Sequence, residues 1–144
     1  MRIEAVPFNH LGAWRVYAIA RLRQQVFVVE QECPYPDLDG RDVEVDTRHV
    51  LMTTDDDELV GYARVLDDTR FWRIGRVVLA PEVRGRGLAE PLMQTALQVC
   101  HDRDIVLDAQ TPLVDFYGSL GFEVDGEAFL EDGIPHTPMR LSRA

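Results

Sequence analysis

The residues with the clearest chemical content lie between positions 84 and 89, where Arg84-Gly85-Arg86-Gly87-Leu88-Ala89 joins a strand-like segment to a helix-like one. Glycines let the backbone turn tightly and present successive N–H groups, and a helix start adds partial positive charge. Such a nest holds a pyrophosphate without needing any particular side chain. Arg84 and Arg86 would add charge-assisted contacts to phosphate oxygens. As a bare pattern, Arg-x-x-Gly-x-Ala equally describes a glycine-rich turn between two solvated arginines. Two other phosphate loops are excluded by the residues themselves. A P-loop needs Gly-Lys-Ser/Thr, and the chain contains no lysine. The dinucleotide fingerprint needs Gly-x-Gly-x-x-Gly, whereas Gly85 and Gly87 are followed by Glu90.

The elements that must hold this loop can be read on either side of it. Arg73–Leu79 sets Ile74, Arg76 and Val78 against Gly75, Val77 and Leu79, an alternation that predicts a strand. After the loop, Leu88, Leu92, Met93, Ala96, Leu97 and Cys100 recur along one side of a predicted helix. Pro91 is compatible with that helix only in or near its first turn. Asp104–Gln110 reads as a strand and about Leu113–Leu120 as a short helix ended by Gly121. Strand and helix alternate over 73–120, which predicts parallel pairing there within an otherwise antiparallel sheet.

Upstream, Trp14, Tyr17, Ala18, Ala20, Leu22, Val26 and Phe27 recur at helical spacing between Ala13 and about Glu30. Cys33 to Gly40 is proline-rich and loop-like. Strands near Thr47–Thr54 and Leu59–Leu66 flank the charged turn Asp55-Asp56-Asp57-Glu58 and predict an antiparallel hairpin. Two more strands are expected around Asp132-Gly133-Ile134-Pro135.

A length of 144 residues predicts one domain, residues 1–144, and 46% hydrophobic with 28% charged residues suits a globular chain. No apolar run reaches the roughly 18 residues of a membrane span, and Met1-Arg2-Ile3-Glu4-Ala5 has no signal-peptide profile, so a cytoplasmic protein is expected. Cys33 and Cys100 have no metal-ligand spacing and predict two free thiols and no metal. A net charge of -10 argues against a nucleic-acid partner and suits a cationic or amine-bearing one. The acids Glu32, Asp37, Asp39, Asp42 and Asp46 either line such an amine site or form a solvated loop face.

The block from Val77 through Pro81 to Ala89 resembles the acyl-CoA motif of the GNAT N-acetyltransferase superfamily. Gln110 and Phe116-Tyr117-Gly118-Ser119-Leu120-Gly121-Phe122 resemble that superfamily's second signature, Asn-x-x-Ala-x-x-Phe-Tyr-x-x-x-Gly-Phe, with Gln110 in place of Asn and Leu113 in place of Ala. Val26–Tyr35, Asp39–Asp42, Thr47-Arg48-His49 and Leu130–His136 are similar to segments of the ElaA-like subfamily, so the likeness spans nearly the whole chain.

The resemblance implies an α/β fold with a strongly bent mixed sheet flanked by helices, and acyl-CoA wedged between two splayed central strands. It also implies acetyl-CoA as donor, a small-molecule or protein amine as acceptor, and direct transfer in a ternary complex. The implied CoA contacts are Val77, Val78, Leu79, Arg84, Gly85, Arg86, Gly87, Leu88, Ala89, Gln110 and Tyr117, with a backbone N–H near Val78 or Leu79 polarising the thioester carbonyl. Tyr117 is the candidate general acid toward the CoA sulfur, because a tyrosine is protonated at neutral pH. Candidate bases are Glu30, His49 and His136. His10 and His101 are expected at the surface. Two other functions fit the same residues: an acyl-CoA sensor without turnover, and an interaction module whose Val26–Tyr35 segment forms a homodimer surface.

Overall fold

A computed structural model describes residues 1–143. Every predicted element is found, and two strands the periodicity did not flag are added. The chain opens with strand β1 (Arg2–Val6) and helix α1 (Gly12–Arg23), which widens without a break into a π-helix over Gln24–Glu30. Strands β2 (Arg48–Thr53), β3 (Leu59–Asp67) and β4 (Trp72–Leu79) follow as an antiparallel meander. Helix α2 (Ala89–Val99) leads to β5 (Ile105–Gln110), and helix α3 (Val114–Ser119) to β6 (Glu123–Val124), β7 (Phe129–Glu131) and β8 (Ile134–Leu141). The eight strands form one sheet in the order β1-β2-β3-β4-β5-β8-β6, with β7 also on β8. Only β4 and β5 run parallel, as the alternation of strand and helix predicts. Unpredicted are β1, which pairs along all of β2, and the two-residue β6.

The core lies between the sheet and its flanking helices. Leu92, Met93, Ala96 and Leu97 of α2 are buried against β1, β2 and β3, and Pro91 is the third residue of that helix, where its missing N–H costs nothing. The first helix differs from its reading. Trp14 and Tyr17 are 88% and 67% exposed, while Ile19, Leu22 and Val26 are buried. The segment carries two apolar rows at helical spacing, and the sheet covers only one.

A second departure is in β4. Gly75 lies opposite Arg64 and Val78 opposite Tyr62, so one residue of β3, Ala63, faces two of β4, Arg76 and Val77. Gly75 and Val78 therefore share a face, and strict alternation breaks at Arg76. That residue has a φ of 53°, a left-handed backbone that a non-glycine residue adopts only when its surroundings impose it.

Those surroundings are a cluster of three arginines and three aspartates. Arg23, 1% exposed, donates from Nε to Asp37 Oδ2 at 2.9 Å, from Nη1 to Asp42 Oδ1 at 2.5 Å and from Nη2 to the Asp37 carbonyl at 2.7 Å. Arg64 holds both oxygens of Asp39 at 2.8 and 2.9 Å. Arg76 closes the set with an ion pair to Asp37 at 2.8 Å and lies 5.5 Å from the Tyr35 ring. The proline-rich loop is thereby fastened to α1, β3 and β4 at once. Three of the acids that could have faced an amine are consumed here as counter-ions, because the buried guanidiniums have no other anions to satisfy them.

Burial alone would raise the carboxyls of Asp39 and Asp42. Hydrogen bonds and charge from Arg64 and Arg23 outweigh it and hold both below the ordinary carboxylate range. Folded-state pKa values below the unfolded ones give stability above about pH 4 that is lost as pH falls further. Replacing Arg23 by Met leaves buried carboxylates under-compensated, and is expected to cost about 3 kcal/mol in urea unfolding at pH 7. A loss under about 1 kcal/mol would show that the cluster is not a stabilising anchor.

Candidate functional site

Parallel pairing of β4 with β5 stops after Trp72↔Ile105 and Arg73↔Val106, although both strands continue for several residues. Each strand keeps its outer partner. β3 follows β4 to Leu79, and β8 pairs with β5 from Ile105 to Gln110. The two inner edges therefore separate, and a cleft of about 960 Å³ opens between them. Its walls include backbone edges with no strand partner, which suit an extended ligand carrying amide groups.

The direction of those backbone groups follows from the register. Ala80 N–H bonds the Val60 carbonyl at 2.8 Å, toward β3. Strand alternation then turns the Val78 N–H to β3 as well, and the Leu79 N–H and carbonyl toward the cleft. The Leu79 carbonyl accepts from Arg84 Nε at 3.1 Å, as that orientation requires.

At the end of β4 the glycine-rich loop runs into α2. Gly85 and Gly87 have φ of 78° and 72°, so a side chain at either would be strained even though space around each is open. Among the described residues, the N–H groups of Gly85, Arg86, Gly87 and Leu88 find no backbone acceptor. Together with the α2 N-terminus they form a ring of donors fit for an anion. Arg84 and Ala89 line the cleft where it meets this loop. Arg86 is exposed and donates to the Glu82 carbonyl at 3.2 Å.

The other candidate residues divide cleanly. Val77, Val78, Leu79, Gln110, Tyr117 and His136 line the cleft. Tyr117 is 6% exposed, and burial raises its phenol to about 12, which keeps it protonated at neutral pH. His136 Nδ1 lies 2.7 Å from the Ile134 carbonyl, which can only accept. Nδ1 therefore carries the proton, and Nε2 is left as an open acceptor. The Phe129 ring stacks on this imidazole with centroids 5.8 Å apart.

Glu30 and His49 are placed differently from their expectation as bases. Glu30 forms a two-pronged ion pair with Arg84, at 2.6 and 2.9 Å, and those hydrogen bonds lower its pKa. A carboxylate stabilised in this way is a poor proton acceptor. His49 is 1% exposed, does not line the cleft, and sits between Tyr62 and the loop. Its Nε2 donates to the Asp42 carbonyl at 2.9 Å, so Nδ1 accepts from the Tyr62 hydroxyl at 2.6 Å. Burial, opposed by the bond to the Asp42 carbonyl, lowers its pKa and keeps it neutral.

Four cleft residues were not among the candidate site residues, although Cys33 was expected as a free thiol. Gln31 accepts from Gln110 Nε2 at 3.2 Å, because the π-helix ends where it brings Gln31 to the cleft wall. Asp108 and Glu131 line the same space. Cys33 is buried, lines the cleft and donates its thiol to the Asp132 carbonyl at 3.4 Å. Gln31 and Cys33 lie inside the Val26–Tyr35 segment, which was the available signal; Asp108 sat in a strand with nothing to distinguish it.

A family model described as an acetyltransferase (GNAT) domain matches residues 24–143. This chain belongs to the GNAT family. ElaA of Escherichia coli K12 is 44% identical over a 146-position alignment covering 95% of each chain, and a UPF0039 protein of Mycobacterium tuberculosis H37Rv is 42% identical over 141 residues, 95% of this chain and 90% of that one. The crystal structure of E. coli ElaA superposes with a TM-score of 0.94 at 39% identity, over 99% of this chain and 100% of the other. That of an acyl-CoA N-acyltransferase from Pseudomonas aeruginosa gives 0.93 at 38%, with the same coverage. The GNAT fold binds acyl-CoA generally. Among the described residues no helix is long and apolar enough to cross a membrane.

The burial of neutral His49 has a measurable consequence. Its folded pKa lies below its unfolded one, so the unfolded chain takes up a proton first and stability falls as pH drops below about 6.5. Urea midpoints measured between pH 7.5 and 5.5 should decline in the parent protein and decline less in His49→Gln. Equal slopes would show that His49 contributes nothing to the pH dependence.

Proposed function

We propose that the chain, acting as a single domain over residues 1–144, transfers the acetyl group of acetyl-CoA to an amine directly, within a ternary complex. The observation that carries this reading is the continuity of the cleft: Arg84 and Ala89 beside the anion loop, Gln110, Tyr117 and His136 all line one space. An anion site, a proton donor and a proton acceptor are all reached from it, with no need for a covalent intermediate on the protein.

The donor thioester supplies the activated acyl group. The amides of residues 85–88 hold its pyrophosphate, and Arg84 adds charge after exchanging Glu30 for a phosphate oxygen. Gln110 hydrogen-bonds the pantetheine arm, and the exposed edges of β4 and β5 align it as an added strand would. The Leu79 N–H, turned into the cleft, is the donor that polarises the thioester carbonyl. Tyr117 holds a proton for the departing sulfur, and His136 Nε2 takes one from the attacking amine.

The decisive test is thiol release from acetyl-CoA across a panel of small amines, alongside calorimetric titration of acetyl-CoA. Tyr117→Phe is expected to lower kcat by about 100-fold while leaving acetyl-CoA affinity nearly unchanged. Unchanged turnover would remove Tyr117 from the mechanism. Tight acetyl-CoA binding with no release for any amine would replace the transferase by a non-catalytic acyl-CoA sensor.

A further inference from the structure

Glu30, Gln31 and Cys33 lie close together at the end of the π-helix, and each is tied to a different part of the chain. Glu30 holds Arg84, after β4, at 2.6 and 2.9 Å. Gln31 accepts from Gln110, at the end of β5, at 3.2 Å, and Cys33 donates to the Asp132 carbonyl in the β7–β8 turn at 3.4 Å. Backbone pairing of β4 with β5 has already ended at Arg73↔Val106. The segment from Glu30 to Cys33 is therefore a strap that joins the β4 side of the cleft to the β5 side, and Gln31 and Cys33 form part of the cleft wall.

The three ties differ in strength. Those of Gln31 and Cys33 are long and join neutral groups, whereas Glu30 and Arg84 make a charge-assisted, two-pronged pair. The strap also carries a conformational cost, since Glu32 has a left-handed φ of 51°. Its strongest tie is the one open to competition. Both terminal nitrogens of Arg84 are given to Glu30, and Nε to the Leu79 carbonyl. An anion seated on the amides of residues 85–88 lies next to that guanidinium in the chain. The two side chains are 39% and 44% exposed, so a ligand can reach them. Glu30 comes to Arg84 from 54 residues away although Glu82 is near in sequence, so the fold itself brings the competing carboxylate to the loop.

We propose that the Glu30–Arg84 pair is a latch: an anionic ligand that takes Arg84 releases the strap, so that occupancy of the glycine-rich loop loosens the far wall of the cleft. This rests on the reading of the loop as a pyrophosphate site. The coupling is reciprocal, as any linkage between two sites is. Closing the latch opposes the anion, and removing Glu30 favours it. Gln31 and Cys33 keep the strap attached, so Glu30 stays beside the loop as a tethered competitor at high effective concentration.

The test combines hydrogen exchange with calorimetry on the full chain. The amides of Gln31, Glu32 and Cys33, bonded to the carbonyls of Val26, Val29 and Val28, report the strap. Their exchange is expected to rise about two- to five-fold when the protein is saturated with CoA. It should rise as much without ligand in Glu30→Gln and in Arg84→Gln, which open the latch from its two sides. Glu30→Gln should also bind CoA about three- to five-fold tighter than the parent. Strap exchange unchanged in either variant, strap exchange unchanged or slowed by CoA in the parent, or CoA affinity no higher in Glu30→Gln would each overturn the proposal. Inorganic pyrophosphate is titrated alongside, because the latch needs only the anion. A strap released by pyrophosphate in a chain that fails to bind CoA upholds the latch and sinks the acyl-CoA reading. Tight CoA binding with a strap that never responds does the reverse.

Discussion

The structure depends on one electrostatic constraint: Arg23 is inside the protein and cannot lose its charge. A guanidinium that is 1% exposed must be surrounded by acceptors, and the sequence supplies them from a loop with no regular structure of its own. Meeting that demand places Asp37 and Asp42; the second oxygen of Asp37 draws in Arg76, and Arg64 shares the Asp42 oxygen that Arg23 holds, so two adjacent strands join the cluster. A strongly positive φ at Arg76 would be unfavourable in a free strand. Here the side chain's attachment to Asp37 and the ring of Tyr35 offset that cost. The bulge it fixes resets the phase of β4, so that Leu79 points its N–H and carbonyl into the cleft.

Separation of β4 from β5 is the second consequence. A strand can abandon one neighbour only if the other holds it, and both strands here keep an uninterrupted outer partner while the inner edge is released. The Arg/Asp cluster lies on β3 and β4 near the start of that divergence, and α1 and its π-helical extension cover the same region. The widened helical turn costs hydrogen-bond quality, but it brings Gln31 against Gln110 and Glu30 against Arg84. One irregular segment thus touches both the donor loop and the middle of the cleft.

These dependencies explain which parts could be read from residues alone. The turn at Gly85 and Gly87 was legible because it rests on backbone conformation, and glycine is the one residue type that announces a positive φ. Periodicity found α2, β4 and β8, where one face is more buried than the other, and β2, β3 and β5 stood out as apolar runs that are mostly buried throughout. It found α1 but not its buried face, because the exposed Trp14–Tyr17 row looks as apolar as the buried Ile19–Leu22–Val26 row. It failed again at Arg76, since a bulge leaves no compositional mark when the residue is not glycine. His49 resembled a catalytic base in type and position, but its role depends on Tyr62 and Asp42, brought to it by folding. The same holds for Asp37, Asp39 and Asp42, which looked like free acids until the arginines facing them were known.

The two halves of the cleft are consequently built on different physics. Beside the glycine-rich loop the cleft is backbone: amides, strand edges and a helix start, all insensitive to the identity of most side chains. Beside the β7–β8 hairpin it is side chain: His136, Glu131 and Asp132, with Asp108 from β5 and Gln31 from the end of the π-helix. A change at Glu131 would alter the charge of the cleft without disturbing the glycine-rich loop, because among the described residues no hydrogen bond joins them. A change at Asp39 could not, since that carboxylate answers Arg64 in the interior. The fold therefore separates the acids that answer interior guanidiniums from Glu131 and Asp132, which line the cleft with no ion-pair partner among the described residues.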